Sequence, residues 1–206
     1  MTTDKALIIA ARVISMIFTP FYLPLVGIAL LLTFTFMGGF PMEYKLVLVT
    51  VVYLTTVFIP TMLIYLYRRF RGWTQQQLGE KRHRLVPYAI SLLCYLGCIW
   101  LMSIVHVNRS IVSIVIAALL IQAVCILVNI WWKVSTHTAA IGGVSGALVA
   151  FGFIMGFNPV WWLCLSILMS GVVGTARIIL RQHSTAQVVA GYFIGAVSAF
   201  IAIYYL

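Results

Sequence analysis

The residues with the most chemistry in this chain gather in two short stretches, Ser135-Thr136-His137 and, some forty residues later, Arg177–Gln187. Around them 64% of the sequence is apolar and only 8% is charged. A histidine or arginine at the mouth of an apolar segment carries a desolvation cost there, and function is the default reading of such a group. Histidine moves protons near neutral pH, and its neutral imidazole is a nucleophile. Arginine offers a planar fork suited to phosphate oxygens. His137 and His183, with Arg177 and no carboxylate nearby in sequence, fit phosphoryl transfer. One imidazole attacks phosphorus, the other protonates the leaving oxygen, and the cations stabilise charge spread over the equatorial oxygens. Ser135–Thr138 reads as a helix cap, so backbone N–H groups at that helix start, Thr136 among them, add anion donors.

The acids define what is excluded. Thirteen Lys and Arg face three Asp and Glu: Asp4, Glu43 and Glu80. Two-metal phosphatases, aspartyl-phosphate enzymes, paired-carboxylate glycosidases and Ser-His-Asp hydrolases all need carboxylates near the site. Cys94, Cys98, Cys125 and Cys164 lie inside apolar runs without metal-ligand spacing, so no metal, cofactor or disulfide framework is expected. The net charge of +10 comes with no soluble domain to present a basic face to nucleic acid. Anionic lipid headgroups are the expected partners.

The elements that must position these residues are membrane spans. At roughly 20 apolar residues per span, the 206 residues read as one all-α integral membrane domain, a polytopic helix bundle of six or seven transmembrane helices. The expected spans cover about Ala6–Met37, Tyr44–Tyr67, Pro87–Val107, Ser110–Lys133, Ala139–Phe157, Val160–Leu180 and Ser184 to the C-terminus. The first is a retained span rather than a signal peptide, overlong and interrupted by Pro20 and Pro24. The second is kinked at Pro60 and ends in Arg68-Arg69-Phe70-Arg71. The polar connection 68–86 carries six basic residues and Trp73, with Thr74–Glu80 as a short interfacial helix. Gly142, Gly143, Gly146 and Gly152, then Gly191 and Gly195, mark close helix contacts. His83 and His106 read as structural, and Trp131-Trp132 and Trp161-Trp162 as interfacial anchors.

Parity joins the polar stretches. Two spans separate the basic connection from Ser135–His137, and two more separate that from Arg177–His183, so all three meet one membrane face. That face collects Lys5, Arg12, the six loop cations, Lys133, Arg177 and Arg181, against Lys45 and Arg109 opposite. The positive-inside rule therefore makes the site cytoplasmic.

These residues carry a resemblance. The late motif of the type 2 phosphatidic acid phosphatases, Ser-Arg, five residues, His, three residues, Asp, resembles Ala176-Arg177, five residues, His183, three residues and Gln187. The middle motif, Pro-Ser-Gly-His, resembles Val134-Ser135-Thr136-His137. The early motif, Lys, six residues, Arg-Pro, is met only by a degenerate set, Lys81, Arg82, Arg84 and Pro87. The likeness covers about 81–206. It implies a metal-free lipid phosphatase of the bacterial cytoplasmic membrane, with His183 forming a phosphohistidine and His137 as general acid. Arg177 and Ser135 would bind phosphate oxygens, and Lys81 or Arg84 would complete the pocket. Gln187 stands where the family has the aspartate that orients the nucleophile; four residues from His183, on one helical face, its amide carbonyl can accept the Nδ1–H but supplies no charge.

The expected activity is hydrolysis of a phosphomonoester or diphosphate on a membrane phospholipid or isoprenoid. A second reading is an inactive relative that binds anionic lipid headgroups. A third, a transporter, lacks an inverted repeat or further charge at midspan.

Overall fold

The computed structural model describes residues 2–72 and 85–205, and its regular structure is helical. The helices are α1 (Thr2–Ile17), α2 (Tyr22–Phe34), α3 (Met42–Arg71), α4 (Leu85–Ile104), α5 (Arg109–Trp131), α6 (Thr136–Met155), α7 (Val160–Ile179) and α8 (Thr185–Tyr205). From α3 onward, six helices are long and apolar enough to cross a membrane, so the chain is a multi-pass membrane helix bundle.

The expected first span is two helices. α1 and α2 meet at an angle of 59° across residues 18–21, where Pro20 lies. Pro24 falls in the first turn of α2, where a missing N–H is tolerated. In α3, Pro60 deprives the Thr56 carbonyl of its partner. The helix meets this by widening into a π turn over Leu54–Phe58, where the Ile59 N–H reaches back to the Leu54 carbonyl. α3 continues past Tyr67 to Arg71 and closes on Gly72, left-handed at φ 66°. Thr74–Glu80 lies outside the described residues.

Two features fix the bundle's direction. A buried cluster joins Leu48 and Val52 of α3, Met102 of α4, Ile111 and Val115 of α5, Phe151 of α6 and Ala202 and Ile203 of α8. These ends therefore lie together, and the opposite ends, Arg68–Arg71, the start of α4, Trp131, Thr136, Ile179 and Thr185, converge on the other face.

The second feature is a seam between α6 and α8. A Cβ added at Gly142 or Gly146 would strike the carbonyls of Tyr192 or Ala196. One added at Gly191 or Gly195 would strike those of Ser135 or Ala139. The pairing advances with residue number on both helices, so α6 and α8 run parallel with backbones in direct contact. The spacing Gly-xxx-Gly on each helix is what permits it. α7 returns antiparallel beside them: Ser166 hydrogen-bonds Ser145 at 2.8 Å, and near the other end Gly174 leaves room for Val188.

Candidate functional site

The seam carries the two polar stretches to the same place. Ser135 caps α6, its Oγ accepting the Thr138 N–H at 3.4 Å. Its own N–H donates to the Gln187 carbonyl at 3.3 Å. Thr138 Oγ1 donates to the Val188 carbonyl at 2.9 Å. The start of α6 is thus bonded to the start of α8, on the one face where the span parity puts both.

α7 reaches the site through a Schellman turn. The Gln182 N–H bonds to the Arg177 carbonyl at 3.1 Å and the Arg181 N–H to the Ile178 carbonyl at 2.8 Å. The left-handed residue of that turn is Arg181, with φ 53°, where glycine is usual. Three residues later α8 begins with a capping box. Gln187 N–H donates to Ser184 Oγ at 3.4 Å, and Ser184 N–H donates to Gln187 Oε1 at 3.1 Å. The sequence Ser184-Thr185-Ala186-Gln187 is the Ser-x-x-Gln signature of that box, a signal independent of the phosphatase-like motif that it overlaps.

His183 sits between these two devices. It lies outside the helix, so the shared helical face expected for His183 and Gln187 does not exist; the capping box brings them together instead. His183 is 8% exposed, and its Nδ1 is 3.3 Å from Gln187 Oε1. Because the Ser184 N–H can only donate, the atom it meets is the amide oxygen. The same oxygen meets Nδ1, which must therefore carry the proton. With Nδ1 protonated, Nε2 is the ring nitrogen that carries the lone pair.

Two further residues hold this turn. Lys133 Nζ donates to the Gln182 carbonyl at 2.6 Å, linking the end of α5 to the loop that carries His183. Buried Asn129 donates to the Cys125 carbonyl at 2.7 Å and accepts the Val134 N–H at 3.1 Å, shaping the connection into Ser135. In the sequence Lys133 counts only among the cations of the site face.

The other expected site residues are placed unevenly. Thr136 and His137 form the first turn of α6 and are half-buried, with His137 Nδ1 on the buried side. Ser135 is fully buried, its hydroxyl used in the cap. Arg177 is half-buried, and its Nη1 donates to Ser15 Oγ of α1 at 2.7 Å. Ser15, itself buried, lies 162 residues away and carried no sequence signal. Lys81 and Arg84 lie outside the described residues. Arg68, Arg69 and Arg71 end α3 on the same face, Arg68 over the Tyr65 ring and Arg71 over that of Tyr67. Among the described residues no three His, Cys, Asp or Glu side chains gather as a metal site.

The fold and site define a membrane helix bundle with a histidine- and arginine-bearing cluster at one end of its spans. Comparison of the chain with protein-family models, curated proteins and solved structures returns no match.

Proposed function

We propose that the chain is a membrane lipid phosphatase of the type 2 phosphatidic acid phosphatase kind. His183 Nε2 attacks phosphorus and the P–O bond to the lipid breaks, with His137 giving its proton to the leaving oxygen. His137 then takes a proton from water, which attacks the phosphohistidine; the P–N bond breaks and inorganic phosphate leaves. Arg177 and the first-turn N–H groups of α6 stabilise the equatorial oxygens. The observation that carries this reading is the bond from His183 Nδ1 to Gln187 Oε1, which fixes the tautomer a nucleophilic histidine needs. The excess of Lys and Arg on the site face supports a cytoplasmic site.

The test is inorganic phosphate release by the purified protein in detergent on phosphatidic acid, phosphatidylglycerol phosphate and an isoprenyl diphosphate. Chelator-resistant release lost in both His183→Ala and His137→Ala is expected. No release above these variants across the panel, from folded protein, would sink the enzyme reading. The inactive, headgroup-binding alternative then takes its place, and one observation favours it: the capping box accounts for Gln187 without any catalysis.

A further inference from the structure

Between α7 and α8, on the outside of the bundle, runs a groove of about 280 Å³. Its site end is formed by Ile178 and Thr185, its deep end by Ile167 and Tyr192. Ile178 directly follows Arg177, and Thr185 lies two residues beyond His183, so the groove starts where the polar cluster stops. Its floor is the close approach of the helices at Gly174 and Val188. Its mouth is open: Gly171, Thr175 and Thr185 are exposed, and a Cβ added at Gly171 would meet nothing within 4 Å.

What lies outside that mouth is set by depth. Both walls are membrane-spanning helices, so the surrounding medium is hydrocarbon. From Ile167 to Ile178 the groove follows α7 for about 16 Å at the α-helical rise. That is about half of a hydrocarbon core of roughly 30 Å, the depth of one leaflet. Thr175 Oγ1 donates to the Gly171 carbonyl at 2.8 Å, so its hydroxyl is satisfied within α7 and asks for no polar occupant.

We infer that this groove seats one hydrocarbon chain of the phosphorylated lipid whose headgroup is held at His183 and Arg177. The inference rests on the reading of the site as a phosphate site. It makes the substrate a lipid presented from within the membrane, with its headgroup at the turn between α7 and α8 and its chain lying along both helices. Ordinary lipids in the same leaflet lack the terminal phosphate that would anchor them at the groove's end.

The experiment uses the full-length protein in phosphatidylcholine nanodiscs. The probe is a non-hydrolysable phosphonate analogue of phosphatidic acid with a diazirine in one acyl chain. Photo-adducts are expected on the α7 and α8 peptides that line the groove, and excess unlabelled phosphatidic acid removes them. Gly171→Phe, built from a position where an added Cβ meets nothing within 4 Å, puts a ring at the open mouth and should lower the groove adducts at least fivefold. Gly97→Phe, on α4, where an added Cβ also meets nothing within 4 Å, should leave them unchanged. A thermal melt of each variant reports folding separately. Three results overturn the proposal: labelling spread around the whole belt, equal labelling by a diazirine phosphatidylcholine, or groove peptides crosslinked to a second copy rather than to lipid. Adducts that meet every expectation without phosphate release from phosphatidic acid would keep the groove and refute the phosphatase. Phosphate release whose KM is unchanged in Gly171→Phe would do the reverse.

Discussion

At the scale of single residues, Gln187 has two duties on one atom. Its Oε1 accepts from both Ser184 N–H and His183 Nδ1, and an aspartate at the same position would bring a charge that the amide lacks. The imidazolium formed during transfer would then be stabilised. Gln187→Asp is expected to raise kcat, by up to about 10⁴, the scale of an Asp-to-amide change in a serine-protease triad. Gln187→Leu, which removes the acceptor altogether, should abolish phosphate release; equal kcat in all three proteins would show that this contact plays no part. In the proposed reaction Ser15 would act only through Arg177. Its hydroxyl accepts from Arg177, so Ser15→Ala should raise KM for a lipid phosphate while leaving kcat within about twofold, since a hydrogen bond to a charged group contributes about 1.5–3 kcal/mol. A fall in kcat alone would remove Ser15 from substrate positioning.

At the scale of elements, the turn from α7 to α8 is assembled from two local motifs that differ in how openly the sequence displays them. The capping box is legible as Ser-x-x-Gln. The Schellman turn is not, because Arg181 occupies the left-handed position that glycine would normally announce. That backbone costs a non-glycine residue roughly 1–2 kcal/mol, so Arg181→Gly should raise stability by about 1 kcal/mol. Ser184→Ala should lower it by about 1 kcal/mol through the lost cap. Thermal unfolding of the purified protein compares the two, and a shift of the same sign in both would refute the account of the turn. The break between α1 and α2 was foreshadowed by Pro20 and Pro24, whereas the π turn was not. A proline signals that a hydrogen bond is lost. It does not say whether the helix kinks or widens.

At the scale of the whole molecule, the spans and the shared face of the polar stretches were legible because apolar runs of membrane length are hard to mistake and their parity is arithmetic. The glycines of α6 and α8 announced close packing, but their spacing does not name a partner. Only three dimensions show that Gly142 and Gly146 answer α8, while Gly191 and Gly195 answer α6. Ser15 was invisible because its contact crosses nearly the whole chain. Gly195→Leu would drive a side chain into the Ala139 backbone and should leave no folded, monodisperse protein on size exclusion, whereas Gly97→Leu should behave as the parent. The face of the site is tested by Gln182→Cys, at an exposed position in the turn. In intact cells it should resist a membrane-impermeant maleimide and react after permeabilisation; labelling in intact cells would place the site outside.

The α6–α8 seam has one more consequence. Backbones in contact leave no slack, so the Ser135 and His183 sides of the cluster behave as a single fixed jaw. The opposing jaw is of another make: α1 packs chiefly on α7, is bent away from α2, and reaches the cluster through the Ser15–Arg177 bond. If the cluster holds a lipid headgroup as proposed, the side open to adjustment is therefore that of α1, joined to the cluster through Ser15 and Arg177.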